Sequence, residues 1–122
     1  SLTKKVNTLL SLEEKFKKGL NKFYKNAILN GDQSKKLPGL LNISFPGTKS
    51  SVLMKKLDRE GISVSNGSAC GSGDIKPSPV LSAIGLDDIT NLSTLRFSFG
   101  SSNTNDQIDY LLSKLESMLS ET

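Results

Sequence analysis

The strongest constraint on the fold lies near the C-terminal end of the sequence. Ile108, Leu111, Leu112, Leu115, Met118 and Leu119 recur at i, i+3, i+4, i+7 spacing, behind Thr104-Asn105-Asp106-Gln107, a capping-box pattern. This predicts a helix with one apolar face. Such a helix draws most of its stability from a second layer that covers that face, so the rest of the chain must supply one. At 122 residues the chain is long enough for one core, and the expected organisation is a single domain over 1–122.

The covering elements can be read in order. From about Thr3 to Ile28, Val6, Leu9, Leu10, Leu12, Phe16, Leu20, Phe23 and Tyr24 follow helical spacing among lysines and glutamates, and Asn30-Gly31-Asp32 breaks the pattern. Leu41, Ile43 and Phe45 alternate with Asn42 and Ser44, a half-buried strand stopped by Pro46-Gly47. Ser50 to Glu60 predicts a second helix, with Gly61 as its C′ residue, and Ile62-Ser63-Val64 resumes extended structure. Pro77-Ser78-Pro79 reads as the start of a third helix, with Ser78 as N-cap, and Gly85 ends it. In Thr94-Leu95-Arg96-Phe97-Ser98-Phe99, Leu95, Phe97 and Phe99 face one way and Thr94, Arg96 and Ser98 the other. Three short strands and four helices predict an α/β (α+β) fold, a small two-layer sandwich of a short sheet packed by helices.

Two absences limit the chemistry. The chain has no histidine and one cysteine, which excludes a Cys-His dyad, a Ser-His-Asp triad and a closed zinc site within it; no metal site is expected. One cysteine forms no internal disulfide, and no long apolar run or signal peptide stands in the sequence, so the expectation is a cytoplasmic protein without membrane contact. The formal charge of +4 comes from scattered lysine pairs without interleaved aromatic residues, the pattern of solvated faces; direct nucleic-acid binding is not expected. The sequence starts without methionine, which reads as a piece of something longer.

What remains is a thiol on a loose loop and an arginine on a strand. Cys70 sits within Ser65-Asn66-Gly67-Ser68-Ala69-Cys70-Gly71-Ser72-Gly73, whose three glycines make it costly to order. A lone cysteine is commonly an inert buried hydrophobe, and a reactive one needs its thiolate stabilised, here by loop amides or by Lys76. No base in this chain can be named for it, so activation is expected from outside. The Arg96 guanidinium matches a carboxylate through two parallel hydrogen bonds, although by residue type alone a surface ion pair is the commoner use.

The cysteine loop, Lys76-Pro77-Ser78-Pro79-Val80-Leu81, Ala83-Ile84-Gly85-Leu86 and Leu95-Arg96-Phe97-Ser98-Phe99-Gly100, in this order, resemble the C-terminal part of the NifS/IscS-type cysteine desulfurases, class V aminotransferase-like enzymes that use pyridoxal phosphate. Leu29-Asn30-Gly31-Asp32 and Leu41-Asn42-Ile43-Ser44-Phe45 are similar to the preceding segments of that family, and the resemblance is to its long-loop subgroup.

The resemblance implies that Cys70 is the catalytic cysteine. It attacks the sulfur of an L-cysteine substrate held on pyridoxal phosphate, giving alanine and an enzyme persulfide. The sulfur then passes to an iron–sulfur scaffold or a tRNA-thiolation protein. Arg96 matches the arginine that holds the substrate α-carboxylate, and the loose loop carries sulfur from cofactor to acceptor. Asn66 stands where serine is commoner, and Gly71 and Gly73 enrich the loop in glycine. The family's Schiff-base lysine follows a histidine, so that motif is not in this chain. The implied picture is the C-terminal small domain of a fold-type I pyridoxal-phosphate enzyme, with the cofactor bound by an absent large domain and the parent a homodimer. This chain alone is then expected to be inactive. Two other readings stay open: a stand-alone thiol or persulfide carrier, and a class V aminotransferase relative in which Cys70 is incidental.

Overall fold

A computed structural model of the chain describes residues 1–65 and 92–120. The described elements run α1 (Leu2–Phe23), β1 (Ile28–Leu29), β2 (Leu40–Ser44), α2 (Ser50–Arg59), β3 (Thr94–Ser98) and α3 (Asn105–Leu119). The three strands form one antiparallel sheet in the order β1-β2-β3. This is the expected α+β architecture. The segment expected to hold a helix after Ser78 lies outside the described residues, as does Cys70.

The capping box at the start of α3 forms as its sequence predicts: the Thr104 hydroxyl accepts from Gln107 N, and the Gln107 side chain accepts from Thr104 N. Its apolar stripe packs beside α1, and α2 touches both α3 and β3. One core joins Leu12, Phe16 and Leu20 of α1, Leu53 and Leu57 of α2, Leu111 and Leu115 of α3, and Leu41, Ile43, Leu95 and Phe97 of the sheet. Phe16 stands at its centre, with ring centroids 5.0 Å from Phe97 and 5.4 Å from Phe99.

The first helix ends five residues earlier than its periodicity predicts, because side-chain partners elsewhere compete for the chain. Tyr24 leaves the helix, packs its ring 5.8 Å from that of Phe45 and donates its hydroxyl to the Pro46 carbonyl; burial pushes its pKa up. Ile28 and Leu29 then pair with Ser44 and Ile43 as the edge strand β1. The loop back to β2 is latched to α1 by Glu13. This buried carboxylate, 3% exposed, pairs with the Lys36 ammonium and accepts from the Gly39 amide. Gly39 has φ +86, and a Cβ there would meet the Phe99 carbonyl oxygen at 2.5 Å, so the turn requires glycine.

Ile62-Ser63-Val64 does not form a strand. Gly61, at φ +78, ends α2 in a Schellman motif: Ile62 N donates to Leu57 O and Gly61 N to Asp58 O. These bonds hold the chain to the helix end, and among the described residues it reaches β3 only at Ser65, by a bridge to Arg96. Thr94 also departs from the expected alternation. It is buried, with its hydroxyl 2.5 Å from that of Ser44, so the outward face of β3 is closed at its first residue and open at Arg96 and Ser98.

Candidate functional site

The sheet has two unlike faces. Leu41, Ile43, Leu95 and Phe97 point to the helices; Asn42, Ser44, Thr94, Arg96 and Ser98 point away from them. Register places Asn42 directly opposite Arg96. The bonds from Phe99 N to Gly39 O and from Phe45 N to Ser93 O show which pairs carry the ladder, and Asn42–Arg96 falls between them. In such a non-hydrogen-bonded pair the Cα atoms stand about 4.5 Å apart and the side chains are close neighbours. Across the other edge of β3, Ser65 and Arg96 exchange both backbone hydrogen bonds, at 3.2 and 2.6 Å. Asn42, Arg96 and Ser65 therefore form one cross-strand row on the open face.

A neighbouring polar network supports this row. Asn30 pairs with Asn42 through Asn30 N donating to Asn42 O, and its side-chain amide donates to Ser44 Oγ at 2.9 Å. Ser44 in turn meets Thr94. Buried polar groups normally find such partners. The Arg96 guanidinium and the Asn42 amide are different: neither has a hydrogen bond or ion pair among the described residues, and Arg96 is exposed. A paired donor set of this kind takes an anion, and a guanidinium fork takes a carboxylate or phosphate best.

Sequence reasoning singled out Arg96 and its outward direction, and the structure places it there. It missed Asn42 as a site residue. The alternation of β2 already put Asn42 on the polar face, but its position opposite Arg96 depends on register between distant segments. Cys70 lies outside the described residues; in the sequence it stands five residues beyond Ser65. A separate groove of about 430 Å³ lies between the 61–64 segment, the end of β3 and the start of α3, lined by Ile62, Val64, Ser98, Phe99 and Tyr110 among others, and includes neither Arg96 nor Asn42.

The protein-family model for aminotransferase class-V matches residues 3–111. The chain belongs to the aminotransferase class-V family. Among curated relatives in this family, it is 34% identical over 118 residues to the cysteine desulfurase IscS of Dictyoglomus turgidum, covering 97% of this chain and 30% of that protein. It is 43% identical over 95 residues to the cysteine desulfurase IscS of Clostridium botulinum strain Hall, covering 76% of this chain and 24% of that protein. A solved NifS-like protein superposes with TM-score 0.83 at 29% identity, covering 99% of this chain and 30% of that one. The chain thus spans less than a third of the length of these class-V relatives.

Class-V aminotransferases and cysteine desulfurases generally depend on pyridoxal phosphate, which needs an enclosed, available lysine amine and donors for its phosphate. Among the ion-paired lysines of the described residues, Lys36 is the most enclosed, and Glu13 occupies its amine. The described residues do not fit the cofactor. What the open face presents instead is the Arg96 fork, a shape matched to carboxylate or phosphate. Among them no cluster of His, Cys, Asp and Glu is built to hold a metal ion, and no helix is long and apolar enough to cross a membrane.

Proposed function

We propose that this chain is the sulfur-accepting, carboxylate-binding C-terminal small domain, over 1–122, of a pyridoxal-phosphate-dependent cysteine desulfurase. The observation that carries the reading is the Arg96 guanidinium, without a partner among the described residues, on the open face of the sheet and bridged through its backbone to Ser65, which precedes Cys70 by five positions in the sequence. Its support from outside the fold is the likeness to proteins named cysteine desulfurase IscS over nearly the whole chain.

In this reading Arg96 holds the α-carboxylate of L-cysteine with two parallel N–H donors and so fixes the orientation of the substrate. The Cys70 thiolate attacks the substrate sulfur. An S–S bond forms as the substrate C–S bond breaks, and the carbon takes up a proton to leave as alanine; Cys70 keeps the persulfide. The base that ionises Cys70 and the lysine that binds the cofactor belong to the rest of the parent, a homodimer. The persulfide goes to an external thiol acceptor, an iron–sulfur scaffold or a tRNA-thiolation protein, in the cytoplasm.

The test is persulfide trapping on the intact protein. After addition of L-cysteine and alkylation of thiols, mass spectrometry of the peptide carrying Cys70 is expected to show one extra sulfur, lost when pyridoxal phosphate is removed and absent in Cys70→Ser. An unmodified Cys70 during full turnover overturns the reading and leaves a class-V enzyme in which this thiol is incidental. A persulfide that persists without pyridoxal phosphate would instead make the chain a carrier.

A further inference from the structure

We propose that Asn42 is a second carboxylate-binding residue, donating its side-chain amide to the same substrate carboxylate that Arg96 holds. The inference deepens the desulfurase reading and rests on it for the identity of the carboxylate. Three observations carry it. Asn42 and Arg96 are a non-hydrogen-bonded cross-strand pair, the arrangement that brings two side chains closest on a sheet face. Both end in N–H donors without partners among the described residues, whereas Asn30, the next asparagine in the row, gives its amide to Ser44. Asparagine is also a poor strand former, and at the middle of the central strand β2 a threonine or valine would hold the sheet better. A half-buried amide that makes no bond among the described residues gives the sheet nothing in return. It is accounted for by a ligand.

The geometry assigns the two residues different parts. The Arg96 fork neutralises the charge and sets the plane of the carboxylate; Asn42 donates to one oxygen from the β2 side and so selects one rotation of the ligand about the Cα–carboxylate bond. Ser65 borders Arg96 on the other side. A hydrogen bond to a charged acceptor is strong enough that its loss weakens binding about tenfold or more.

The experiment compares L-alanine, the expected product, with ethylamine, the same molecule without the carboxylate, each titrated calorimetrically into the intact protein. In Asn42→Ala the dissociation constant of L-alanine is expected to rise about tenfold while that of ethylamine stays within twofold. Asn42→Asp, which sets a carboxylate against a carboxylate, is expected to cost L-alanine about a hundredfold, and Arg96→Ala at least as much. Asn42→Thr, a better strand former, guards against a folding defect and is expected to lose discrimination between the two ligands without losing ethylamine. In turnover the KM for L-cysteine rises about tenfold in Asn42→Ala with kcat nearly unchanged, the mark of a contact made equally in ground and transition states. Equal losses for both ligands, or no loss for L-alanine, overturn the proposal. A protein that binds L-alanine through Asn42 yet forms no persulfide at Cys70 sinks the desulfurase reading and leaves the carboxylate site standing. A desulfurase whose Asn42→Ala variant binds both ligands as the parent does overturns this inference alone.

Discussion

Phe97 and Arg96 are consecutive residues of β3 and belong to different regimes. The Phe97 ring is sealed in the core against Phe16 and Phe45, with centroids at 5.0 and 6.2 Å. The Arg96 guanidinium, a half-turn of the pleat away, stands in the open without a partner among the described residues. On the helix-covered face each side chain is fixed by what it touches within the chain. On the open face the row Asn42, Arg96 and Ser65 is fixed in position by the ladder, while its polar side-chain ends bond to nothing among the described residues. A sheet serves both purposes because its period of two separates them residue by residue. Rigidity comes from one face, and the other is the one we propose for binding.

This contrast predicts unequal costs for neighbouring substitutions. Phe97→Ala removes a fully buried ring that two other rings pack against, and its expected cost is about 3–5 kcal/mol, read as a shift in the denaturation midpoint at constant m-value. A loss below about 1 kcal/mol would mean that the core is looser than this packing implies. Glu13→Ala ranks next. It strands the Gly39 amide and leaves the Lys36 ammonium with the Leu37 carbonyl but no carboxylate, at a latch beside the core, for an expected cost of about 2–4 kcal/mol. Because that latch holds the chain entering β2, amide exchange at Leu40 and Leu41 should quicken more than exchange in α3. Uniform acceleration would show that Glu13 supports the whole domain rather than the latch.

Much of this was legible from local chemistry. The cap of α3 needs only Thr104 and Gln107, and the end of α2 needs only a glycine at position 61 free to adopt positive φ. The outward direction of Arg96 follows from alternation with Leu95 and Phe97. Apart from Ile62-Ser63-Val64, which the cap of α2 restrains locally, the failures share one cause, which is competition from distant partners. Helical periodicity runs on through Tyr24, but Phe45 and Pro46 hold that side chain and β2 takes Ile28 and Leu29 into the sheet. Ile62-Ser63-Val64 reads as extended, yet the α2 cap restrains its first residue and, among the described residues of this segment, only Ser65 reaches β3. Thr94 belongs by alternation to the open face and is buried because Ser44 and Asn30 close that end. Asn42 was hidden for the same reason: its meaning comes from Arg96, over fifty positions away in the chain, and from a register that no local pattern encodes.

The smallest expected effect is the sharpest test of the two-face picture. Arg96→Ala should change the stability of the chain by no more than about 0.5 kcal/mol, as for a surface substitution that breaks no internal contact. Backbone pairing with Ser65 is retained, since both of its hydrogen bonds run through main-chain atoms. The same substitution is expected to abolish carboxylate binding in the intact protein, so stability and binding should separate completely at this residue. Placed beside Phe97→Ala, it sets one residue that the fold requires against a neighbour that the fold does not. If Arg96→Ala unfolds the chain as readily as Phe97→Ala does, the guanidinium is part of the architecture after all, and the open face loses its claim to be a binding surface.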